Sequence, residues 1–238
     1  MGFYIFCGGD GLGKTTVAKY ISAFICKPYF KFPYGSDGDT VKEIYSGKRI
    51  RAILNDKEHT CDPVAFQALQ LVNKLEAVAV LKELERKHGI VFVDRWSLSA
   101  LIYGAADGVD REWNEIICKF FDDQIKPSLM FIFVGKPFKN DGDRYGAKQK
   151  AIAEMYEDYI GEHLNDMTVV EINVTDKSID AVSFEVLGHI TRDILAKRLM
   201  SCATTSTVVR SAKNIVQSTP TVNEETRALK SCFDSMVI

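Results

Sequence analysis

The chain has 238 residues, 46% of them hydrophobic and 26% charged, which excludes a wholly disordered polypeptide and allows one large α/β domain with a buried core. Lys and Arg total 30 against 32 Asp and Glu, a formal net charge of -2, so no global basic field points to nucleic acid and any anion site has to be local. The cysteines, Cys7, Cys26, Cys61, Cys118, Cys202 and Cys232, are scattered without the close pairs of a zinc site or the density of a disulfide scaffold, which predicts free thiols in a reducing compartment. With no apolar run of about eighteen residues and no charged leader before a cleavage site, the expectation is a cytoplasmic protein without a membrane partner.

Residues 3–7 form a short apolar run that stops at a glycine-rich turn, and residues 14–26 carry Val17, Ala18, Ile21, Phe24 and Ile25 at helical spacing, so the chain opens as strand, loop, helix. A second strand over 29–32 ends at Pro33, where Gly35, Ser36, Asp37, Gly38 and Asp39 predict a long polar loop. Residues 63–87 read as a helix, with Pro63 in its first turn, Gly89 as its stop and Leu69, Val72, Leu75, Val78, Ala79 and Leu84 as the core stripe. The continuously apolar runs 90–93 and 130–134 predict central parallel strands covered on both faces. Helices are expected over 96–106, 111–125, 149–163 and 179–199, with a last strand over 169–172. The polar segment 135–148 reads as a lid, and the Ser- and Thr-rich residues 200–238 as a flexible tail after a catalytic domain over 1–199. Strict alternation of strands and helices predicts a doubly wound α/β fold, a five-stranded parallel sheet flanked by helices on both faces.

Gly8-Gly9-Asp10-Gly11-Leu12-Gly13-Lys14-Thr15, followed by Thr16, satisfies the P-loop pattern and sits between a strand and a helix as that pattern requires. Glycines let successive backbone N–H groups turn inward around a phosphate, Lys14 adds a point charge, and the Thr15 hydroxyl is of the type that ligates Mg²⁺. A dinucleotide-binding turn needs no lysine followed by two threonines, so the motif predicts a nucleoside triphosphate, ATP, within a P-loop NTPase fold. The second signal is Asp94-Arg95-Trp96 at the carboxyl end of an apolar strand. An Asp there reaches the ligand crevice and can hold Mg²⁺, while the adjoining Arg95 offers a bidentate donor to a phosphate.

These motifs resemble the thymidylate kinase family of P-loop nucleoside monophosphate kinases. Residues 6–16 are similar to that family's P-loop, with an acid where Asp10 stands, and Asp94-Arg95-Trp96 with Ser99 and Ile102-Tyr103 resembles its Asp-Arg-Tyr segment and the positions that follow. Lys31-Phe32-Pro33, Pro127-Ser128-Leu129 and Asp143-Arg144-Tyr145 resemble the family's Arg-Phe-Pro, Pro-Asp-Leu and lid Arg-Tyr stretches. The resemblance implies ATP-dependent phosphorylation of a deoxynucleoside monophosphate, dTMP foremost, in dTTP biosynthesis, and homodimerisation through the long helices. It implies catalytic roles for Asp10, Lys14, Asp94, Arg95 and Arg144, with Asp10 orienting the acceptor phosphate through Arg95, and with Lys139 or Lys148 adding positive charge beside Arg144. The acceptor is expected on Phe32, Pro33, Phe66, Gln70, Asn73, Lys74, Arg95, Ser99 and Tyr103. Here the chain departs from the family: Gln70 stands where a stacking Phe is usual, leaving Phe66 one turn earlier as the candidate stacking face, and Lys74 stands where an Arg is usual. Two other readings stay open on sequence, a deoxynucleoside kinase and a nucleotide-binding protein impaired in catalysis.

Overall fold

The structure, a computed structural model, describes residues 2–36, 44–56, 61–138, 145–163 and 168–203. In chain order the elements are β1 (Gly2–Gly8), α1 (Lys14–Phe24), β2 (Tyr29–Lys31), α2 (Tyr45–Asn55), α3 (Pro63–His88), β3 (Ile90–Asp94), α4 (Ser97–Ala106), α5 (Arg111–Asp122), β4 (Pro127–Val134), a 3-10 turn (Gly146–Lys148), α6 (Gln149–Glu162), β5 (Val169–Asn173) and α7 (Ile179–Ala203). The chain divides into two compact units, Met1–Val186 and Leu187–Ile238, with the boundary inside α7.

The five strands form one parallel sheet in the order β2-β3-β1-β4-β5. All seven residues of β1 are buried, and their side chains alternate between two cores as strand geometry requires. Phe3, Ile5 and Cys7 join Val91, Val93, Met130 and Ile132 in a layer packed by Ala77 and Leu81 of α3, Leu98 and Ile102 of α4 and Ile152 and Tyr156 of α6. Phe6 turns the other way, with ring centroids 6.1, 5.5 and 6.0 Å from those of Phe92, Phe131 and Phe133, on the side where α1 buries Val17, Ala18 and Ile21. The predicted architecture is therefore the observed one, with helices on both faces of the sheet.

Two expectations change. Helix α2 lies where the sequence suggested only loop: it is preceded by Ile44, which offers no side-chain cap, so the usual start signal is missing. Its first turn is fixed by tertiary contacts instead. The Asn73 amide accepts from the Tyr34 N–H at 2.7 Å and donates to the Tyr34 carbonyl and to Ser46 Oγ, both at 2.9 Å, and Ser46 in turn donates to Glu76. Those contacts tie α2 and α3 to the turn that follows the cis Phe32–Pro33 bond.

Helix α3 begins and ends as its sequence predicts. Asp62 accepts from the Ala65 N–H at 2.9 Å, Pro63 occupies the first turn, Arg86, Lys87 and His88 face the negative end of the helix dipole, and Gly89 stops the helix at φ 73°. Its buried face is rotated, however. Phe66, Gln67, Asn73, Lys74, Ala77 and Leu81 point inward, and Val72 and Leu75 of the expected stripe are exposed. Apolar residues lie all round this helix, so periodicity does not select a side. Among the described residues α3 alone is long and apolar enough by length and composition to cross a membrane; in the structure it packs against β3 and three other helices.

Candidate active site

A cleft of about 470 Å³ opens at the carboxyl ends of the strands, where the sheet order turns at β1. Asp10, Gly11, Gly13, Lys14, Thr15 and Thr16 form one wall. The loop leaves β1 at Gly8, where any Cβ would fall 2.4 Å from the Phe133 carbonyl oxygen, and enters α1 through Gly13 at φ 77°, a left-handed conformation that favours glycine. Lys14 is 5% exposed and its ammonium donates to the Gly9 carbonyl. Burial pulls its pKa down to about 8; the Arg95 charge adds to that fall and Asp10 and Asp94 oppose it.

Asp94, the last residue of β3, is 1% exposed. Its Oδ2 accepts from the Thr15 hydroxyl and, at 2.9 Å, from Tyr29 Oη, while its buried Oδ1 has no hydrogen-bond partner among the described residues. An orphaned carboxylate oxygen beside a threonine hydroxyl and a phosphate loop fits Mg²⁺, which is commonly held by one or two protein oxygens with phosphates and waters completing the shell. Among the described residues no group of three or more His, Cys, Asp and Glu side chains offers an all-protein metal cage, so a metal here would depend on bound phosphates.

The chain turns off β3 at Arg95, whose φ of 72° is rare for a side-chain-bearing residue and marks strain stored at a site. That kink sends the guanidinium back across the sheet to Asp10, which it meets as an ion pair, with the Tyr103 ring 5.3 Å from Cζ. Asp10 also accepts from Tyr103 Oη at 2.7 Å and Gln149 Nε2 at 3.3 Å. Burial alone would raise the Asp10 carboxyl, but Arg95, Lys14 and the Tyr103 hydroxyl outweigh it and hold the group well below the usual carboxylate range. Burial pushes the Tyr103 phenol up, so it stays a hydrogen-bond donor.

The opposite wall is built by β2 and its following turn (Lys31, Phe32, Pro33), α2 (Arg51, Leu54, Asn55), α3 (Gln70, Lys74) and α4 (Ser99, Ala100, Tyr103). Lys74 is 4% exposed and, among the described residues, its ammonium has no hydrogen-bond or ion-pair partner; it lies 5.6 Å from the centre of the Phe32 ring. Burial lowers its pKa, with Cys118 and Asp122 opposing. Trp96 lies beneath the cleft, its indole N–H on Asp122 at 2.8 Å and its ring packed on Phe121.

The structure thus gathers Asp10, Lys14, Thr15, Asp94, Arg95, Phe32, Pro33, Gln70, Lys74, Ser99 and Tyr103 around one cleft. It does not place Phe66 there: that ring is wholly buried with Ile50 and Ile53 between α2 and α3, so it offers no stacking face. Asn73 is withdrawn too, its amide engaged by Tyr34 and Ser46. Lys148 binds Asp107 at 2.7 Å and the Ala106 carbonyl at 2.9 Å, so it adds no free charge. Arg144 and Lys139 lie outside the described residues. The sequence reading missed Arg51, which reaches the cleft from α2, and Tyr145, whose ring meets Tyr103 edge-on at 4.7 Å. The usable signal for Arg51 was Ile50 and Ile53 flanking it at helical spacing.

Comparison with known proteins agrees with this geometry. A Thymidylate kinase family model matches residues 6–179. A probable thymidylate kinase of Methanocaldococcus jannaschii is 26% identical over 195 residues, covering 79% of this chain and 95% of that protein. The thymidylate kinase of Dictyostelium discoideum is 28% identical over 192 residues, covering 77% and 82%. The solved thymidylate kinase of Candida albicans shares the fold, with a TM-score of 0.67, 21% identity and 81% and 92% coverage. The family match takes in the phosphate loop, the Asp94-Arg95 strand end and all that lies between β1 and α7; the chain belongs to the thymidylate kinase family and is a nucleoside monophosphate kinase, a phosphotransferase.

Proposed function

We propose that the chain moves the γ-phosphate of ATP onto a deoxynucleoside monophosphate, dTMP foremost, with Mg²⁺. The observation that carries this reading is the Arg95 guanidinium held on Asp10 at the mouth of the phosphate loop, a group suited to grip a second phosphate. The loop amides and Lys14 hold the donor phosphates. Arg95 takes the acceptor phosphate, and Asp10 and Tyr103 keep it aimed. Lys31 and Arg51 add positive charge on the acceptor side. Thr15 and Asp94 would hold Mg²⁺, which when bound neutralises phosphate oxygens. The attacking atom is an oxygen of the acceptor phosphate, so positioning and charge neutralisation suffice and no side-chain nucleophile is required.

Lys74 supports the preferred base. A buried ammonium is a donor only, so it favours a base edge bearing a carbonyl over one bearing an amino group. Coupled ADP-release assays across the nucleoside monophosphates test the proposal. Turnover is expected with dTMP and dUMP, with kcat/KM for dCMP lower by about 10-fold or more. Arg95→Ala should lower kcat/KM for the acceptor by about 100-fold or more while ATP still binds. Absence of acceptor-dependent ADP release from every monophosphate would sink the reading, and thymidine outperforming dTMP would replace it with a nucleoside kinase.

A further inference from the structure

Asp107 has no role in the site as described, yet its surroundings are costly to build. It follows the last turn of α4, where a carboxylate meets the negative end of the helix dipole, and its side chain is only 3% exposed. Neither fact favours an acid there. Two of its contacts come from one segment: Oδ2 accepts from Tyr145 Oη at 2.8 Å and Oδ1 from Lys148 Nζ at 2.7 Å. Lys148 also caps the α4 carbonyl end through Ala106, so the lysine, not the acid, serves the helix. The carboxylate instead clamps both ends of the Gly146–Lys148 turn.

The clamped residue nearest the chemistry is Tyr145. It is 2% exposed, its ring stands edge-on to Tyr103 at an interplanar angle of 83°, and Tyr103 donates to the Asp10 carboxylate that holds Arg95. A continuous packed path therefore runs from Asp107 through Tyr145 and Tyr103 to Asp10 and Arg95. Bonded at its hydroxyl to Asp107, Tyr145 packs its ring edge against Tyr103.

We propose that Asp107 is a positioning residue for the acceptor: by holding Tyr145 against Tyr103 it fixes the Tyr103 hydroxyl on Asp10, and through Asp10 the direction of Arg95. This rests on the acceptor-kinase reading above. The path meets the phosphate loop only at the Asp10 side chain and takes in neither Lys14 nor Thr15, which gives the proposal a signature that simple loss of stability lacks.

The experiment is steady-state kinetics of Asp107→Ala, Asp107→Asn, Tyr145→Phe and the Asp107→Ala/Tyr145→Phe double variant, with acceptor and ATP varied in turn and melting followed in parallel. Asp107→Ala should raise the acceptor KM about 5- to 10-fold and leave the ATP KM within about 2-fold. Asp107→Asn keeps an acceptor for Tyr145 Oη and should recover part of the loss. The double variant should be no worse than Asp107→Ala alone, because both changes break one path. Unchanged acceptor KM in a folded Asp107→Ala protein overturns the proposal, as does an equal rise in both KM values. If Asp107→Ala does not fold, Tyr145→Phe decides by the same split. Failure of the functional reading looks different: the unmodified protein would then show no acceptor-dependent turnover.

Discussion

Lys14 carries a pH dependence of its own. Its pKa of about 8 comes from burial, and a phosphate in the loop would raise it by adding negative charge beside the ammonium. Below that value the free protein already holds the proton and affinity for ATP is full; as pH rises through about 8 the lysine must regain a proton on binding, so affinity falls. Calorimetric titration with ATP at about pH 8.5 in two buffers of different ionisation enthalpy should show net proton uptake, and identical apparent enthalpies would contradict it. At this scale the motif residues were legible because their chemistry demands them in fixed order. Phe66, Asn73 and Lys148 were not, since helical spacing fixes which residues share a stripe but not what that stripe meets. Phe66 shares a face with Gln70, yet Ile50 and Ile53 of α2 close over it.

Helix α2 holds together by contacts that a helix propensity scale does not contain. Gly47 lies in its first turn, and a Cβ there would stand 2.0 Å from the Tyr34 carbonyl oxygen that Asn73 also engages. Propensity alone predicts that alanine stabilises this position by about 1 kcal/mol. The clash reverses the sign: Gly47→Ala should destabilise by about 1–3 kcal/mol and raise the acceptor KM, because Arg51 lies one turn further on. Thermal melting and kinetics check both, and a stabilised variant would refute the close approach. Strands β1, β3 and β4 were readable from their unbroken apolar runs. Helix α2 was not, having neither a capping side chain nor a run of apolar residues to announce it, and α3 was readable in extent but not in rotation.

The whole sheet is organised about β1, paired on both edges and buried along its full length, with β2 and β5 at the margins. Its amides should exchange only when the molecule unfolds globally, whereas those of β5 should open locally. Hydrogen exchange read by mass spectrometry should therefore rank β1 slowest, and equal rates in β1 and β5 would contradict this by showing that the sheet opens only as one unit. Alternation of strands and helices made the parallel sheet legible in advance. The order of its strands depends on which loops cross which face, and local sequence does not encode that.

The sheet order has an evolutionary consequence. Because the phosphate loop issues from the central strand, with Asp94 beside its Thr15, while β2, α2 and Arg95 line the other part of the cleft, the two halves of the proposed grip can diverge separately. One jaw has only to cradle phosphate oxygens, whichever acceptor stands opposite. The other, where Gln70 and Lys74 stand, is free to be retooled for a new nucleotide without rebuilding its counterpart.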